Sequence, residues 1–316
     1  MGKTRKENNK RKESREQDSG QLFNYAQDSY LERTSRPVYA VIFLLPLIIF
    51  YEWGTFRFNT DILNHSQERI LAFVWLQNLL EPLGYGGKFA WVAPPLAVVA
   101  ILLAQQITSG KKWYFLAGDV LPMTTECVLL AVPLIVLTLF LNRQAAPQAD
   151  VGRPSNTNVS SRSTDPPDYL AAANSGPPSP ANESSADPST RPLIASIVTG
   201  IGAGIYEELV FRLILICLLM LLFQDVLRLP HKDSLVLAVL ISAAFFSAHH
   251  HIDLLSGRPN EADPFNMTKF VFRTMAGVYF AVLFAIRGFG IAAGTHAAYD
   301  ILAVCYDLLT TRFFQQ

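Results

Sequence analysis

Residues 202–216 read GAGIYEELVFRLILI and place three charged side chains inside a run that is otherwise apolar enough to cross a membrane. The charges belong to Glu207, Glu208 and Arg212. Each such residue costs about 2.5 to 3.5 kcal/mol at the centre of a membrane helix, so a chain keeps three of them only where partners or a function offset that cost. The rest of the sequence has to supply those partners.

The composition indicates a membrane protein. Of the 316 residues, 50% are hydrophobic and only 16% are charged, whereas soluble domains carry about 25% charged residues. The formal net charge is zero, so we expect no nucleic acid or other polyanion as a partner. The basic stretch within residues 1–20 is typical of a cytoplasmic flank that precedes a first membrane helix.

Apolar runs along the chain predict the fold class. In lipid each run must satisfy its own backbone hydrogen bonds, so each is predicted to be a helix and the lipid bilayer is the expected partner. Residues 70–83 carry Gln77, Asn78 and Glu81 and are predicted to form an interfacial or re-entrant helix. The fold class is all-α, a polytopic membrane protein with about seven transmembrane helices. Their predicted spans are residues 38–53, 91–107, 121–141, 193–223, 235–255, 271–286 and 289–309.

Shifts in composition divide the chain into four regions. Residues 1–36 are predicted to be a disordered basic tail, and residues 143–191, rich in Pro and Ser, a disordered linker. Residues 37–142 hold the N-terminal membrane helices, and residues 192–310 hold the catalytic helices in the C-terminal half. With the basic tail inside and seven crossings, the linker lies outside. We expect a multi-pass integral protein of the cell membrane.

Helical spacing separates the roles of the two adjacent glutamates. Glu208 and Arg212 are four residues apart, so they are neighbours on one helix face and can neutralise each other. We interpret this pair as structural. Glu207 is rotated by about 100° from Glu208 and has no cation in its own helix. It is therefore the spare carboxylate, the kind of group that a general base requires.

Two further apolar runs carry histidines. His249, His250 and His251 are consecutive, and successive positions differ by about 100°, so one or two of them can face a single cavity. His296 and Asp300 are four residues apart and share a face of the last run. Counted from the predicted ends of the helices, Glu207 and His296 lie at similar depths, whereas His250 falls too far towards the outer face.

Three motifs in this region, taken in order, resemble a known family. The segment YEELVFR fits the pattern EExxxR, and His296 and Asp300 fit HxxxN/D. Between them, FxxxH fits Phe246–His250, the preferred frame, and also Phe245–His249. The motifs resemble those of the CPBP family of CAAX proteases and bacteriocin-processing enzymes, also called the ABI or type 2 CAAX prenyl endopeptidase family. The resemblance covers residues 192–309.

The resemblance implies an intramembrane endopeptidase of the metallo- or glutamate type. Glu207 would activate water, His250 and His296 would orient the water or bind a metal, and Asp300 with His296 would stabilise the oxyanion. A zinc ion bound by Glu207, His250 and His296 suits the donor types, and water activation without a metal suits the same residues. Both remain open. Supporting roles fall to Glu208, Arg212, Phe246 and His249.

The substrate implied by the resemblance is a membrane-associated peptide or lipidated protein. A prenylated CAAX protein and a bacteriocin-like precursor are both compatible with it. Two other functions also remain open. One is a catalytically silent membrane scaffold with the same fold, and the other is an ion or proton carrier that uses the same polar residues as a relay.

Overall fold

The computed structural model describes residues 25–59, 71–83, 92–145, 190–252, 257–260 and 264–314. These residues form helices, and among them no strand occurs beyond one isolated bridge between Ile252 and Pro259. The all-α prediction is confirmed for this part of the chain. The helices are α1 (Tyr30–Thr34), α2 (Pro37–Asn59), α3 (Leu71–Leu80), α4 (Ala93–Ser109), α5 (Val120–Ala145), α6, α7 (His231–His251), α8 (Met267–Arg287) and α9 (Phe289–Phe314).

Helix α6 spans residues 190–226 and contains two π-helical segments, which are wider than an α-helix. It is α-helical over Thr190–Glu208, π-helical over Leu209–Leu215, α-helical again over Ile216–Leu221, and π-helical over Leu222–Val226. Each π segment shifts the backbone hydrogen bonds by one residue and turns the following side chains relative to a regular helix. The first π segment begins directly after the two adjacent glutamates.

Five of the described helices have the length and hydropathy of membrane crossings, so the protein is an integral membrane protein. The segment Ala93–Ser109 is shorter than these, and α9 is long enough at 26 residues but contains His296 and Asp300. The predicted count of seven crossings is therefore not established. The five segments are Pro37–Arg57, Ala117–Leu141, Leu193–Val226, His231–His251 and Met267–Arg287.

Residues 25–36, predicted as part of the disordered tail, are ordered, and the first long helix begins directly after them at Pro37. Residues 25–36 contain α1, whose first turn is capped by the Ser29 side chain, and the side chain of Arg36 is buried. The charged side chains of this segment, Asp28, Glu32, Arg33 and Arg36, each form an ion pair. Residues 1–24 of the tail, and residues 146–189 of the predicted linker, lie outside the described residues.

Helix α3 agrees in length with the interfacial or re-entrant helix predicted for residues 70–83. It has ten residues and is followed by a single 3₁₀ turn, Glu81–Leu83. At about 1.5 Å per residue a helix of this length covers roughly half of a hydrocarbon core, so it cannot cross a membrane alone. It packs on α4 and α6.

Ion pairs bind the N-terminal segment to the helical bundle at one end. Arg287, at the end of α8, contacts Glu126 on α5 through Nε at 2.5 Å and donates from Nη2 to the Thr34 hydroxyl at 2.9 Å. Arg33 forms two hydrogen bonds of 3.0 Å with the carboxylate of Asp119. These partners come from sequence-distant helices, and together they hold α1 against α5 and the α8–α9 corner.

Asp28 adds a further tie between the N-terminal segment and the loop after α4. Hydrogen bonds from Lys112 and from Arg36 lower the pKa of Asp28 from 3.8 to about 2. The carboxylate is therefore ionised throughout the neutral range, and its contact with Lys112 at 2.6 Å persists there.

Helices α6 and α9 approach each other closely because glycine faces the contact. A Cβ atom built on Gly204 would lie 2.5 Å from the backbone nitrogen of Ala297, and one on Gly200 would lie 2.7 Å from Cβ of Asp300. Only a residue without a side chain fits at either place. This contact brings the polar face of α9, with His296 and Asp300, to the level of the two glutamates of α6.

Helix α7 runs antiparallel to α6 and carries its histidines to the same level. The Ser242 hydroxyl donates to the Phe211 carbonyl at 2.6 Å, and the Arg212 guanidinium lies 4.2 Å from the ring centre of Phe246. The predicted run, residues 235–255, is displaced by four residues from the helix, His231–His251, which is about 6 Å along the axis. The contact of His250 with Glu207 places both residues at one level, so the predicted depth of His250, nearer the outer face, was wrong.

The contact at Gly204 predicts a large effect of one added methyl group. We expect Gly204→Ala to lower the free energy of unfolding by about 1 to 3 kcal/mol, because the methyl meets the backbone of α9 instead of a movable side chain. Thermal unfolding of the purified protein in detergent measures the change. Gly118→Ala is the matched control, since nothing lies within 4 Å of a Cβ there. An unchanged melting temperature for Gly204→Ala would show that α6 and α9 are not in close contact.

Candidate active site

The candidate site is built around the carboxylate of Glu207. This residue is buried at the end of the α-helical part of α6, next to the π segment Leu209–Leu215. Single π turns inside α-helices occur frequently at functional sites because they re-aim side chains that a regular helix would place elsewhere. The environment is apolar on the α6 side, where Ile205, Tyr206 and Leu209 are fully buried.

Three histidines from two helices face Glu207. Nε2 of His249 is 3.4 Å from Oε1, Nε2 of His250 is 4.0 Å from Oε2, and Nε2 of His296 is 3.8 Å from Oε2. Two members of the histidine triplet thus face one carboxylate, as the 100° spacing allowed. All four predicted catalytic residues lie in this cluster, because Asp300 Oδ2 is 3.7 Å from His296 Nε2. Their catalytic roles stay a prediction.

The third histidine of the triplet points elsewhere. His251 is buried, and its Nε2 lies 3.4 Å from Nη1 of Arg273 on α8. Its ring also packs edge-on against Phe265. His251 therefore joins the end of α7 to α8, and its contacts are with those elements instead of Glu207.

Backbone and carboxylate acceptors fix which nitrogen of two histidines carries hydrogen. Nδ1 of His249 is hydrogen-bonded to the carbonyl oxygen of Phe246, which can only accept, so Nδ1–H donates. Nδ1 of His296 donates to Oε1 of Glu208 at 2.8 Å. In both rings Nε2 is the nitrogen directed at Glu207. This is the arrangement by which proteins orient an imidazole that acts as a base or a metal ligand.

Glu208 does more than pair with Arg212. Oε2 of Glu208 is 3.1 Å from Nε of Arg212, so the expected ion pair forms, but the N–H is not directed at the oxygen and no hydrogen bond results. Both side chains are fully buried and carry opposite charges, so each neutralises the other in the bundle. The other oxygen accepts from His296. Glu208 thus holds two charged or polar partners, where the sequence predicted one.

Phe246 lies at the centre of the cluster, and Phe245 lies outside it. The Phe246 ring is buried, packs under Arg212, and contacts the rings of His249, His250 and His296. Phe245 is 45% exposed. The preferred frame therefore has its phenylalanine in the site, although the histidine of the other frame is nearer to Glu207.

The cluster is open on one side. The side chains of His250 and Asp300 are 29% and 25% exposed, whereas those of Glu207, His249 and His296 are almost completely covered. The side of Glu207 that carries His250 and Asp300 is therefore the more open one. The covered side, at His249, is closed by aromatic rings.

Glu207, His249 and His250 could hold a metal ion. Each offers one ligand atom, and these atoms lie within 4.8 Å of one another. Two imidazoles and one carboxylate are a donor set that suits catalytic zinc and leaves a fourth position for water. This grouping differs from the predicted one, which had His296 in place of His249. His296 already donates to Glu208 and lies on the opposite helix.

Two residues of the N-terminal half that were not predicted from the sequence, Glu52 and Trp75, also contact the site or its immediate neighbours. Glu52 on α2 accepts a hydrogen bond through Oε1 from the hydroxyl of Tyr206, the residue before Glu207, at 3.1 Å. Trp75 on α3 packs edge-on against His249. An acid inside an apolar run was a signal for Glu52, whereas the sequence around Trp75 contains no such signal.

Removing the charge of Glu208 is expected to destabilise the fold, because Arg212 would stay buried without its counter-ion. We expect Glu208→Gln to cost about 3 to 5 kcal/mol of unfolding free energy, and the double variant Glu208→Gln with Arg212→Met to regain most of it. Chemical denaturation in detergent measures both. Lys112→Met, which breaks an exposed ion pair, is the control and should cost less than about 1 kcal/mol. Equal stability of Glu208→Gln and the wild type would contradict the buried pair.

Comparison with known proteins gives one match. Residues 189–302 match the family described as type II CAAX prenyl endopeptidase, Rce1-like. No curated protein and no solved structure matches the chain. The matched residues include all of the histidines and carboxylates of the site, and they coincide closely with the region in which the three motifs occur. Residues 189–302, within the C-terminal membrane region, are therefore similar to the Rce1-like type II CAAX prenyl endopeptidase family, in agreement with the resemblance of the three motifs.

Proposed function

We propose that the protein is an intramembrane endopeptidase that hydrolyses a peptide bond of a membrane-associated substrate, with water activated by Glu207. The observation that carries the proposal is the buried carboxylate of Glu207, which faces three imidazoles. In His249 and His296 a hydrogen bond made by Nδ1 orients the ring, so that Nε2 is directed at Glu207. A buried carboxylate with these neighbours is suited to general-base catalysis. The family adds the substrate class, a prenylated CAAX-type protein.

In this proposal Glu207 takes a proton from a water molecule that lies beside the carboxylate, within hydrogen-bond reach of the histidines. The distances of 3.4 to 4.0 Å from Glu207 to the three Nε2 atoms support the proposal, because a water beside the carboxylate would also meet these imidazoles. The hydroxide attacks the scissile carbonyl carbon, and Glu207 then returns the proton to the leaving amine. One carboxylate thus serves as base and then as acid.

His296 as its imidazolium and Asp300 as its neutral acid are the proposed donors to the oxyanion of the tetrahedral intermediate. They lie on α9, opposite the two histidines of α7, and Asp300 is on the open side of the cluster. Glu208 accepts from Nδ1–H and keeps the His296 ring in place, so the Nε2–H of the imidazolium is presented to the oxyanion without reorganisation. A donor that is already oriented is the feature that makes oxyanion stabilisation effective.

A zinc ion fits Glu207, His249 and His250, and it would supply Lewis-acid activation of the water. The Nδ1–H group of His249 donates to a backbone carbonyl, which is how a ligating histidine is usually oriented. The same three residues also support water activation by Glu207 alone. Measurement of zinc binding, described below for variants of the candidate ligands, distinguishes the two routes.

Loss of the Glu207 carboxylate is expected to abolish cleavage. We predict that Glu207→Gln, reconstituted in liposomes with a farnesylated CAAX peptide, cleaves at least about 100-fold more slowly than the wild type, since general-base catalysis contributes about 10² to 10⁴. Release of the C-terminal fragment is followed by mass spectrometry. Glu81→Gln, at an exposed glutamate, is the control and should retain the wild-type rate. Cleavage by Glu207→Gln at the wild-type rate would sink the assignment. Proton uptake by such liposomes would favour a carrier instead.

Metal binding separates the two possible ligand sets. We expect zinc added to chelator-treated protein to bind the wild type and His296→Ala, but to bind His249→Ala at least about 10-fold more weakly, because His249 belongs to the candidate cluster and His296 does not. Equilibrium dialysis with elemental analysis gives the affinities. Weakening by His296→Ala instead would restore the predicted set of Glu207, His250 and His296. Absence of zinc binding in every variant would leave the metal-free route.

A further inference from the structure

The imidazole of His249 is enclosed by aromatic rings from three helices. Ring centroids lie 4.7 Å away at Phe211 of α6, 5.5 Å at Phe246 of α7, and 5.9 Å at Trp75 of α3. Trp75 also packs edge-on against Phe211, with centroids 6.1 Å apart. Phe211 and Phe246 lie within the residues that match the family, whereas Trp75 lies more than 100 residues before them.

The position of Trp75 is fixed by the buried face of α3. Ala72, Phe73 and Leu76 on this helix are all buried. The ring of Phe73 packs edge-on against the ring of Tyr206, with centroids 4.9 Å apart. Tyr206 is the residue directly before Glu207. The helix is therefore docked on α6 at the level of the site, and this docking carries Trp75 onto His249.

His249 needs such packing because its own torsion does not fix the ring. The rotation of an imidazole about its Cβ–Cγ bond has a broad energy profile, so neighbours set the ring plane. A change in that plane would break the hydrogen bond from Nδ1 to the Phe246 carbonyl, or would turn Nε2 away from Glu207, which is 3.4 Å away. Ring contacts on several sides hold both distances at once.

We propose that Trp75 is a positioning residue for His249, so that helix α3, outside the family-matched region, completes the active site. The indole fills the side of His249 that Phe211 and Phe246 leave open, and it prevents the imidazole from rotating away from Glu207. The effect on catalysis rests on the proposed function, whereas the packing of Trp75 on His249 stands without it.

Kinetics of three variants test the catalytic part with the farnesylated CAAX peptide. Loss of a group that orients a catalytic histidine typically costs about 10- to 100-fold, so we expect Trp75→Ala to lower kcat by that factor with KM within about twofold. Trp75→Phe should retain most of kcat, because a phenyl edge still meets the imidazole. Trp113→Ala is the matched control at a tryptophan that is 59% exposed, and it should match the wild type.

Fluorescence tests the packing without any cleavage. A variant that retains Trp75 as its single tryptophan, with Trp53, Trp91 and Trp113 changed to Phe, reports the surroundings of that indole. We expect its emission to change on His249→Ala and to be unchanged on His251→Ala. The second substitution removes a histidine that contacts α8 instead.

The outcomes separate the two proposals. A wild-type kcat for Trp75→Ala, a Trp75→Phe variant as slow as Trp75→Ala, or emission that ignores His249→Ala would each overturn the role of Trp75 while the protease assignment stands. Absence of cleavage by the wild type would overturn the proposed function and the catalytic role of Trp75 together. In that case the emission change still decides whether the indole packs on His249.

Discussion

The carboxylate of Glu207, buried in an apolar bundle, is the constraint on which the rest of the site depends. An ionised carboxylate in this setting requires polar neighbours at short range, since desolvation of an isolated charge costs several kcal/mol. Three Nε2 atoms within 4.0 Å supply them. For those atoms to arrive together, α7 must end at the level of Glu207 and α9 must lie in close contact with α6. The glycines at 200 and 204 permit the second condition.

Two adjacent glutamates organise two different sets of partners because a helix turns about 100° per residue. Glu207 faces His249, His250 and His296, whereas Glu208 contacts Arg212 and His296. Arg212 in turn covers the Phe246 ring, and Phe246 contacts all three histidines of the cluster. The ion pair and the catalytic cluster are therefore one network. A substitution in the structural pair is expected to disturb the histidines, and its effect on activity cannot be read as a purely local one.

Helical spacing was enough to predict what lies within one helix or on one face. It predicted the pairing of Glu208 with Arg212, the spare carboxylate of Glu207, and that part of the histidine triplet would face a cavity. It could not choose between His249 and His250, because that choice depends on the rotation of α7 about its axis, which packing on α6 determines. It misplaced His250 in depth because depths counted along separate apolar runs do not give the register of α7 against α6, which contacts such as that of Ser242 with Phe211 determine.

Long-range partners account for most of what the sequence did not predict. Residues 25–36 look like a disordered tail by composition, yet Arg33 and Arg36 are ordered by Asp119, Glu32 and Asp28. The partners of Arg36 lie within its own segment, whereas the pairing of Arg33 with Asp119 spans 86 positions and has no local signal. The same is true of the N-terminal half as a whole. It resembles only a set of membrane helices, but α2 supplies Glu52 to Tyr206 and α3 supplies Trp75 to His249.

The side of the cluster that these helices close determines how a peptide can enter. His249 is covered, and the exposed members of the cluster are His250, near the end of α7, and Asp300, in the middle of α9. In the proposed reaction, a scissile carbonyl that enters from this side would meet His250 and Asp300 first, with Glu207 behind them. The water of the proposal would share that entrance, because the opposite side is filled by aromatic rings. Under that proposal, attack and substrate entry are confined to one face of the carboxylate, and α3 closes the other face at His249.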